Sequence, residues 1–279
     1  MVPGAALMTA ILAQRAVPRD TTLWEWFSDP MTWGGSDGIL ANLGDTVLLC
    51  AAVTLFAILV AVPPAAFLAH KGWGEVTSAW VVNIGRALPT FAVAAFLVPV
   101  SLRAGYGAEP WPIFIALVLL TIPPMYLSTY VAISQVDKAA VNAARAMGFS
   151  ERAVLTTVEL PLASTVIFTG LRVAAVQVVA TEPIRAFLGG DGLGRYVRDG
   201  IGQNNATLTI GGTILIAALA GTTGLAFSAI ERLVKPYGVR RLRSDRSPRT
   251  GDTDEQVGPL EDGEPAGSDA AGVGGLRQR

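Results

Sequence analysis

The sequence predicts an all-α polytopic membrane protein, and three observations carry that expectation. Of 279 residues, 51% are hydrophobic and only 15% charged, with a mean hydropathy of +0.47, which is too apolar for an ordinary soluble domain. Uncharged stretches recur along the chain, and at ~1.5 Å per residue about twenty residues cross the ~30 Å hydrocarbon core of a bilayer. Between two such stretches lies one long polar, helix-patterned segment, DKAAVNAARAMGFSERAVLTTVELP, from Asp137 to Pro161. The formal net charge of −1 gives no argument for nucleic acid as a partner, and the lone cysteine, Cys50, permits no intrachain disulfide.

Residues 1–38 are expected to form an extracytoplasmic amino-terminal segment. Its apolar part, Ala5 to Ala13, is too short to span and lacks a basic region before it, which argues against a cleaved signal peptide. Trp24, Trp26, Phe27 and Trp33 suit a membrane interface, or an aromatic cage that holds a quaternary ammonium ion by cation–π attraction. The transmembrane domain, 39–235, is expected to contain about five spans. The first, 46–69, carries no charge, and Pro63-Pro64 should kink or end it. The second, 76–102, contains Arg86, which either snorkels to an interface or lines a path together with Asn83 and Pro89. The third, 111–134, is broken by Pro123-Pro124.

The polar segment 137–161 follows. Asp137 is placed to cap a helix over Lys138 to Met147, Gly148 to stop it in the left-handed conformation, and Ser150 to cap the next helix with Glu151 in its first turn. The expected product is a short helix, a turn and a second short helix, with Pro161 at a first-turn position where a missing N–H costs nothing. Asn142-Ala143-Ala144, then Gly148 after three residues, then Val158-Glu159-Leu160-Pro161 after nine, resembles the EAA loop of the permease subunits of binding-protein-dependent ABC importers. The spacing is kept, with Asn142 where a Glu is usual and Val158 where an Ile is usual. The resemblance implies a cytoplasmic loop whose helix docks into a cleft of an ATPase subunit. It assigns ATPase coupling to Asn142, Ala143, Ala144, Met147, Gly148, Phe149, Leu160 and Pro161. Alanines and glycine would permit close approach, Met147 and Phe149 would fill pockets, and Leu160-Pro161 would pass movement to the fourth span.

The fourth span, 162–181, contains Arg172, either a structural anchor or a gate or pathway residue, and ends in Gln177 and Thr181, followed by Glu182, all candidates to face a substrate route. The glycine-dense stretch after it lacks both the G-x-x-x-x-G-K-[ST] pattern and a preceding strand, so it is no nucleotide loop. Leu171-Arg172-Val173-Ala174-Ala175-Val176-Gln177-Val178-Val179-Ala180-Thr181, followed by the glycine cluster and Leu193-Gly194-Arg195, looks like the matching region of osmoprotectant permeases, the glycine betaine, carnitine and choline importers. Glu182-Pro183 departs from the small and polar residues usual there. The fifth span, 207–230, is rich in Gly and Ala for close helix packing, within the subunit or across a dimer. Arg232, Lys235, Arg240, Arg241 and Arg243 then mark the cytoplasmic side, which puts the amino terminus outside and the 137–161 loop inside. The polar tail, 236–279, is expected to be cytoplasmic and disordered.

The resemblance, which covers roughly Ile39 to Lys235, implies a multi-pass plasma or inner membrane subunit with an extracytoplasmic solute-binding protein, ABC ATPase subunits and a second permease, identical or paralogous, as partners. ATP would be used by the ATPase, with no cofactor, metal or catalytic residue expected in this chain. Three other readings stay open: a permease for another small solute such as an amino acid, a membrane scaffold without transport, and an intramembrane enzyme. The last would need a clustered nucleophile, base or metal set, and one His, one Cys and no HExxH supply none.

Overall fold

The computed structural model describes residues 17, 18, 20–74, 76, 80, 83, 85, 89–107 and 110–234, and every regular element among them is helical. In chain order these are α1 (Leu23–Ser28), α2 (Pro30–Trp33), α3 (Ile39–His70), α4 (Thr90–Arg103), α5 (Trp111–Ser134), α6 (Lys138–Ala146), α7 (Glu151–Ala153), a π-helical turn (Val154–Glu159), α8 (Leu160–Thr181), α9 (Ile184–Phe187), α10 (Gly194–Gln203) and α11 (Ala206–Val234). Four helical stretches among the described residues are long and apolar enough to cross a membrane: Ile39–His70, Trp111–Ser134, Glu151–Phe187 and Ala206–Leu233. Of the expected second span, the described continuous helix is the 14-residue α4. Arg86, Lys235 and the tail 236–279 lie outside the described residues.

The prolines do not break the spans. α3 runs 32 residues straight through Pro63 and Pro64, and α5 runs 24 through Pro123 and Pro124. A proline removes one backbone hydrogen bond and crowds the preceding turn; Pro123 is buried and Pro124 half-buried among the helices, whereas Pro63 and Pro64 lie on an exposed face of α3. α3 also begins seven residues earlier than expected, because Asn42 and Thr46 turn inward and are buried rather than marking a polar flank.

α5 is the hub, packed against α3, α4 and α8, while α8 also packs on α3 and α11. The core is divided along the spans. Near the 137–161 segment it is built of Ala57, Ala61, Ala65, Ala66 and Ala69 of α3, Met125, Tyr126 and Ile133 of α5, and Ala163, Ile167 and Leu171 of α8. Farther along, Leu49, Cys50 and Val53 meet Ala94, Ile113, Leu117, Val178 and Val179. Alanines in the first cluster let helix backbones approach closely, which substitutes van der Waals contact for the hydrophobic drive that lipid cannot supply.

Candidate functional site

The 137–161 segment is built by local capping chemistry. The Asp137 carboxylate accepts from the Ala139 N–H at 2.8 Å, a contact worth about 1 kcal/mol to a helix start. α6 ends where Gly148 takes φ +85°; its N–H donates to Arg145 O at 2.9 Å and the Phe149 N–H to Ala144 O at 3.2 Å, the paired bonds that close a helix around a left-handed residue. Ser150 Oγ then accepts from the Ala153 N–H at 3.3 Å. The Arg145 guanidinium forms a two-pronged pair with Glu151, at 3.0 and 2.9 Å, which holds α6 against the start of α7 and favours the charged guanidinium.

No second short helix follows. α7 continues without a break through the π turn into α8, with the Leu160 N–H bonded back to Leu155 O, so the loop's second arm and the fourth span are one rod. Pro161 is the reason for the widened turn: it lacks an N–H for the carbonyl four residues before it, and a π turn relieves both that loss and the ring's crowding. Leu160 packs against the alanine-lined core cluster, which gives the rod a purchase on the bundle.

α6 has two faces. Val141 and Ala144 are buried against Val154, with Val136 and Val158 beside them. Asn142, Ala143, Met147, Gly148 and Phe149 are exposed, Met147 by 71%. Ala144 is therefore turned into its own subunit and cannot form part of an outward docking face. The spacing of three between Val141 and Ala144 was the available sequence signal.

The other candidates separate. A groove of about 670 Å³ runs between α5 and α8, lined among others by Pro123, Pro124, Ser128, Thr169, Gly170 and Gln177. Among the described residues, Gln177 is the one expected pathway residue that reaches it. Arg172 turns toward α11 and donates to Ser228 Oγ at 2.9 Å. Thr181 is half-buried and closes α8. Glu182 is buried, its Oε1 2.9 Å from Arg185 Nε, in a pair with side chains 0% and 5% exposed.

That pair lies beneath the glycine-rich segment. Gly192 has φ +95°, and a β-carbon there would meet Arg185 Nη2 at 2.5 Å and Thr46 Oγ1 at 2.8 Å, so both conformation and space demand glycine. The segment is held by α3: the Gly192 N–H donates to Asn42 Oδ1 at 3.1 Å and the Leu193 N–H to Thr46 Oγ1 at 3.0 Å. Sequence reasoning missed Asn42 and Thr46, whose partners lie about 150 residues away.

At the same end, the aromatic residues pack on one another instead of surrounding an open space. Trp26 is buried edge-on to Phe27 and Tyr196, with Gly211 of α11 beneath its ring, and the Trp33 Nε1–H donates to Phe27 O at 2.8 Å. Trp24 stands apart, 80% exposed. A cleft of about 640 Å³ beside them is lined in equal parts by apolar and polar groups, the latter including Glu25, Asp29, Asp37, Arg195 and Asp199. Thr22 caps α1 and, through its backbone and side-chain hydrogen bonds, holds the Glu25 carboxyl below the ordinary carboxylate range.

Comparison with known proteins agrees with this arrangement. The profile of the family described as "Binding-protein-dependent transport system inner membrane component" matches residues 54–237. The chain is 30% identical over 189 residues to the choline transport system permease protein OpuBB of Bacillus subtilis, covering 68% of this chain and 85% of that one. It is 32% identical over 214 residues to OpuBD, a choline transport system permease protein of the same organism, covering 76% and 92%. It is 28% identical to the glycine betaine/carnitine/choline permease OpuCB of Bacillus subtilis, covering 74% and 92%. Among solved structures, an inward-facing form of the MetNI methionine ABC transporter superposes with a TM-score of 0.63 at 19% identity, covering 75% of this chain and 100% of that one, a likeness of fold. With the family profile matched over residues 54–237 and relatives at 30% and 32% identity over most of the chain, the chain belongs to the family of binding-protein-dependent transport system inner membrane components.

Proposed function

We propose that this chain is the permease subunit of an ATP-driven importer that carries a quaternary ammonium osmoprotectant such as glycine betaine, choline or carnitine. The observation that carries the reading is the likeness, at 30% and 32% identity over most of the chain, to permeases named for choline transport. ATP is hydrolysed in separate ATPase subunits. A second permease, identical or paralogous, completes the pathway, and an extracytoplasmic binding protein delivers the solute. The amino terminus lies outside and the 137–161 loop and carboxy terminus inside, an orientation supported by the basic residues from Arg232 onward.

In this reading Asn142, Ala143, Met147 and Phe149 form the face offered to the ATPase, Gly148 fixes its shape, and Ala144 holds α6 to the π turn. Closure of the ATPases moves α6; Leu160 and Pro161 deliver that movement to α8, because the arm and the span are one continuous helix. The α5–α8 groove, with Gln177 in its wall, is the section of the pathway this subunit contributes. Arg172 and Glu182 serve as structural ties. The coupling is a packing event between two arrangements and needs no catalytic group here.

The test is uptake of radiolabelled glycine betaine, choline, carnitine and methionine into vesicles that hold the complete importer, with and without ATP. ATP-dependent accumulation of a quaternary amine, at least tenfold over methionine, is expected. Accumulation of methionine alone would remove the osmoprotectant assignment and keep the importer, and no ATP-dependent uptake of any solute by an assembled complex would overturn the function.

A further inference from the structure

The chain's single histidine is used by none of the roles above. His70 is the last residue of α3, and its side chain, 3% exposed, is clamped between two carboxylates. Its Nδ1 lies 2.6 Å from Glu159 Oε2 in the π turn, within hydrogen-bond distance. Its Nε2 lies 3.0 Å from Glu151 Oε2, a close contact without hydrogen-bond alignment. Glu151 in turn holds the Arg145 guanidinium of α6. A polar chain, Arg145–Glu151–His70–Glu159, therefore runs from the loop's first helix to the start of its second arm, across to the end of the first span, and back to the π turn.

The position of this chain matters mechanically. Glu159 directly precedes Leu160-Pro161 and its side chain is 6% exposed, so its carboxylate is satisfied inside the protein or not at all. The π turn is the locally widened part of the rod, where a shift of one arm against the other meets least resistance. Without a tie at that point, displacement of α6 would be absorbed by the turn. With it, the turn is pinned to α3, which faces α8 across the alanine-lined core.

We propose that His70 is a positioning residue for coupling: by bridging Glu159 and Glu151 it locks the loop to the end of the first span, so that movement imposed on α6 is delivered to α3 as well as α8. This deepens the proposed function and rests on the 137–161 loop being the ATPase-coupling element. The ring is the chain's only group of its kind at that place. A glutamine there keeps a polar group for Glu159 but not the rigid ring that spans the two carboxylates.

The experiment compares His70→Gln, Glu151→Gln and Gly148→Val with the parent chain in the complete reconstituted importer, reading solute moved per ATP hydrolysed. His70→Gln and Glu151→Gln are expected to lower that ratio at least threefold while protein abundance and ATP hydrolysis stay within about twofold. A merely structural histidine would lower abundance and leave the ratio alone. Should His70→Gln fail to reach the membrane, Glu151→Gln decides, because its own side chain is 49% exposed and the substitution changes charge with little change of shape. An unchanged ratio in these variants overturns the inference while Gly148→Val still uncouples; if Gly148→Val is coupled too, the loop's role itself falls.

Discussion

Gly148→Val is expected to reduce ATP-dependent uptake at least tenfold, with the protein still inserted in the membrane at about the parent level. The backbone at 148 has φ +85°, and nothing lies within 4 Å of where a β-carbon would stand, so the substitution meets strain and no clash. Strain in the left-handed region costs a non-glycine residue ~1–2 kcal/mol, and a β-branched one more. That is small beside what holds the bundle, but it falls on the two hydrogen bonds, from Gly148 and Phe149, that set the angle of Met147 and Phe149 to α6. Relaxing the turn re-aims both side chains. Gly148→Asn is the informative control, since asparagine tolerates this conformation, and uptake is expected to stay within about twofold of the parent. Equal loss in both variants would show that the side chain, and not the turn, matters at this position.

Glu182→Ala is expected to act by a different route, through the fold. It removes a carboxylate 2.9 Å from a guanidinium that is itself only 5% exposed. Breaking such a buried pair from one side costs about 3–5 kcal/mol, a large part of the stability of an ordinary domain. The glycine-rich segment over the pair and the Thr46 hydroxyl beneath it should loosen together, because Gly192, Thr46, Glu182 and Arg185 share one crowded volume. The expected readout is a severalfold fall in membrane abundance and a lower unfolding temperature in detergent. Replacing both charges at once, Glu182→Leu with Arg185→Met, should recover much of that loss, since neither member of the pair is then left as a buried charge without the other. If Glu182→Ala is as stable as the parent and instead blocks uptake, the pair is a gate and not a tie.

What could be read from the sequence was what depends on near neighbours. The Asp137 cap, the Gly148 stop and the Ser150 cap are each made by groups within a few residues of one another, and each has its expected partner. The proline pairs were expected to kink or end the first span and to break the third, yet neither pair ends its helix: Pro63, Pro64, Pro123 and Pro124 all sit inside continuous helices. Pro161 misled in the opposite sense. It was expected to begin a helix, whereas the chain passes it by widening one turn and keeps the loop and the span continuous. Asn42 and Thr46 were given no role from the sequence, and they hold a segment 147 to 150 positions later. The bridge from His70 to Glu159 joins residues 89 apart, and only a solitary histidine at the end of an apolar run hinted at it.

The contact proposed for the exposed end of α6 is with an ATPase. Its most direct test is site-directed cross-linking from Met147, carried out by attaching a benzophenone maleimide to Met147→Cys in the assembled importer. The chain's own cysteine, Cys50, is buried and does not compete for the reagent. Met31, 85% exposed at the opposite end of the fold, supplies the control position as Met31→Cys. A covalent adduct with the ATPase from position 147 and none from position 31 is predicted. Absence of that adduct from 147, in a complex that hydrolyses ATP and accumulates solute, would contradict the claim.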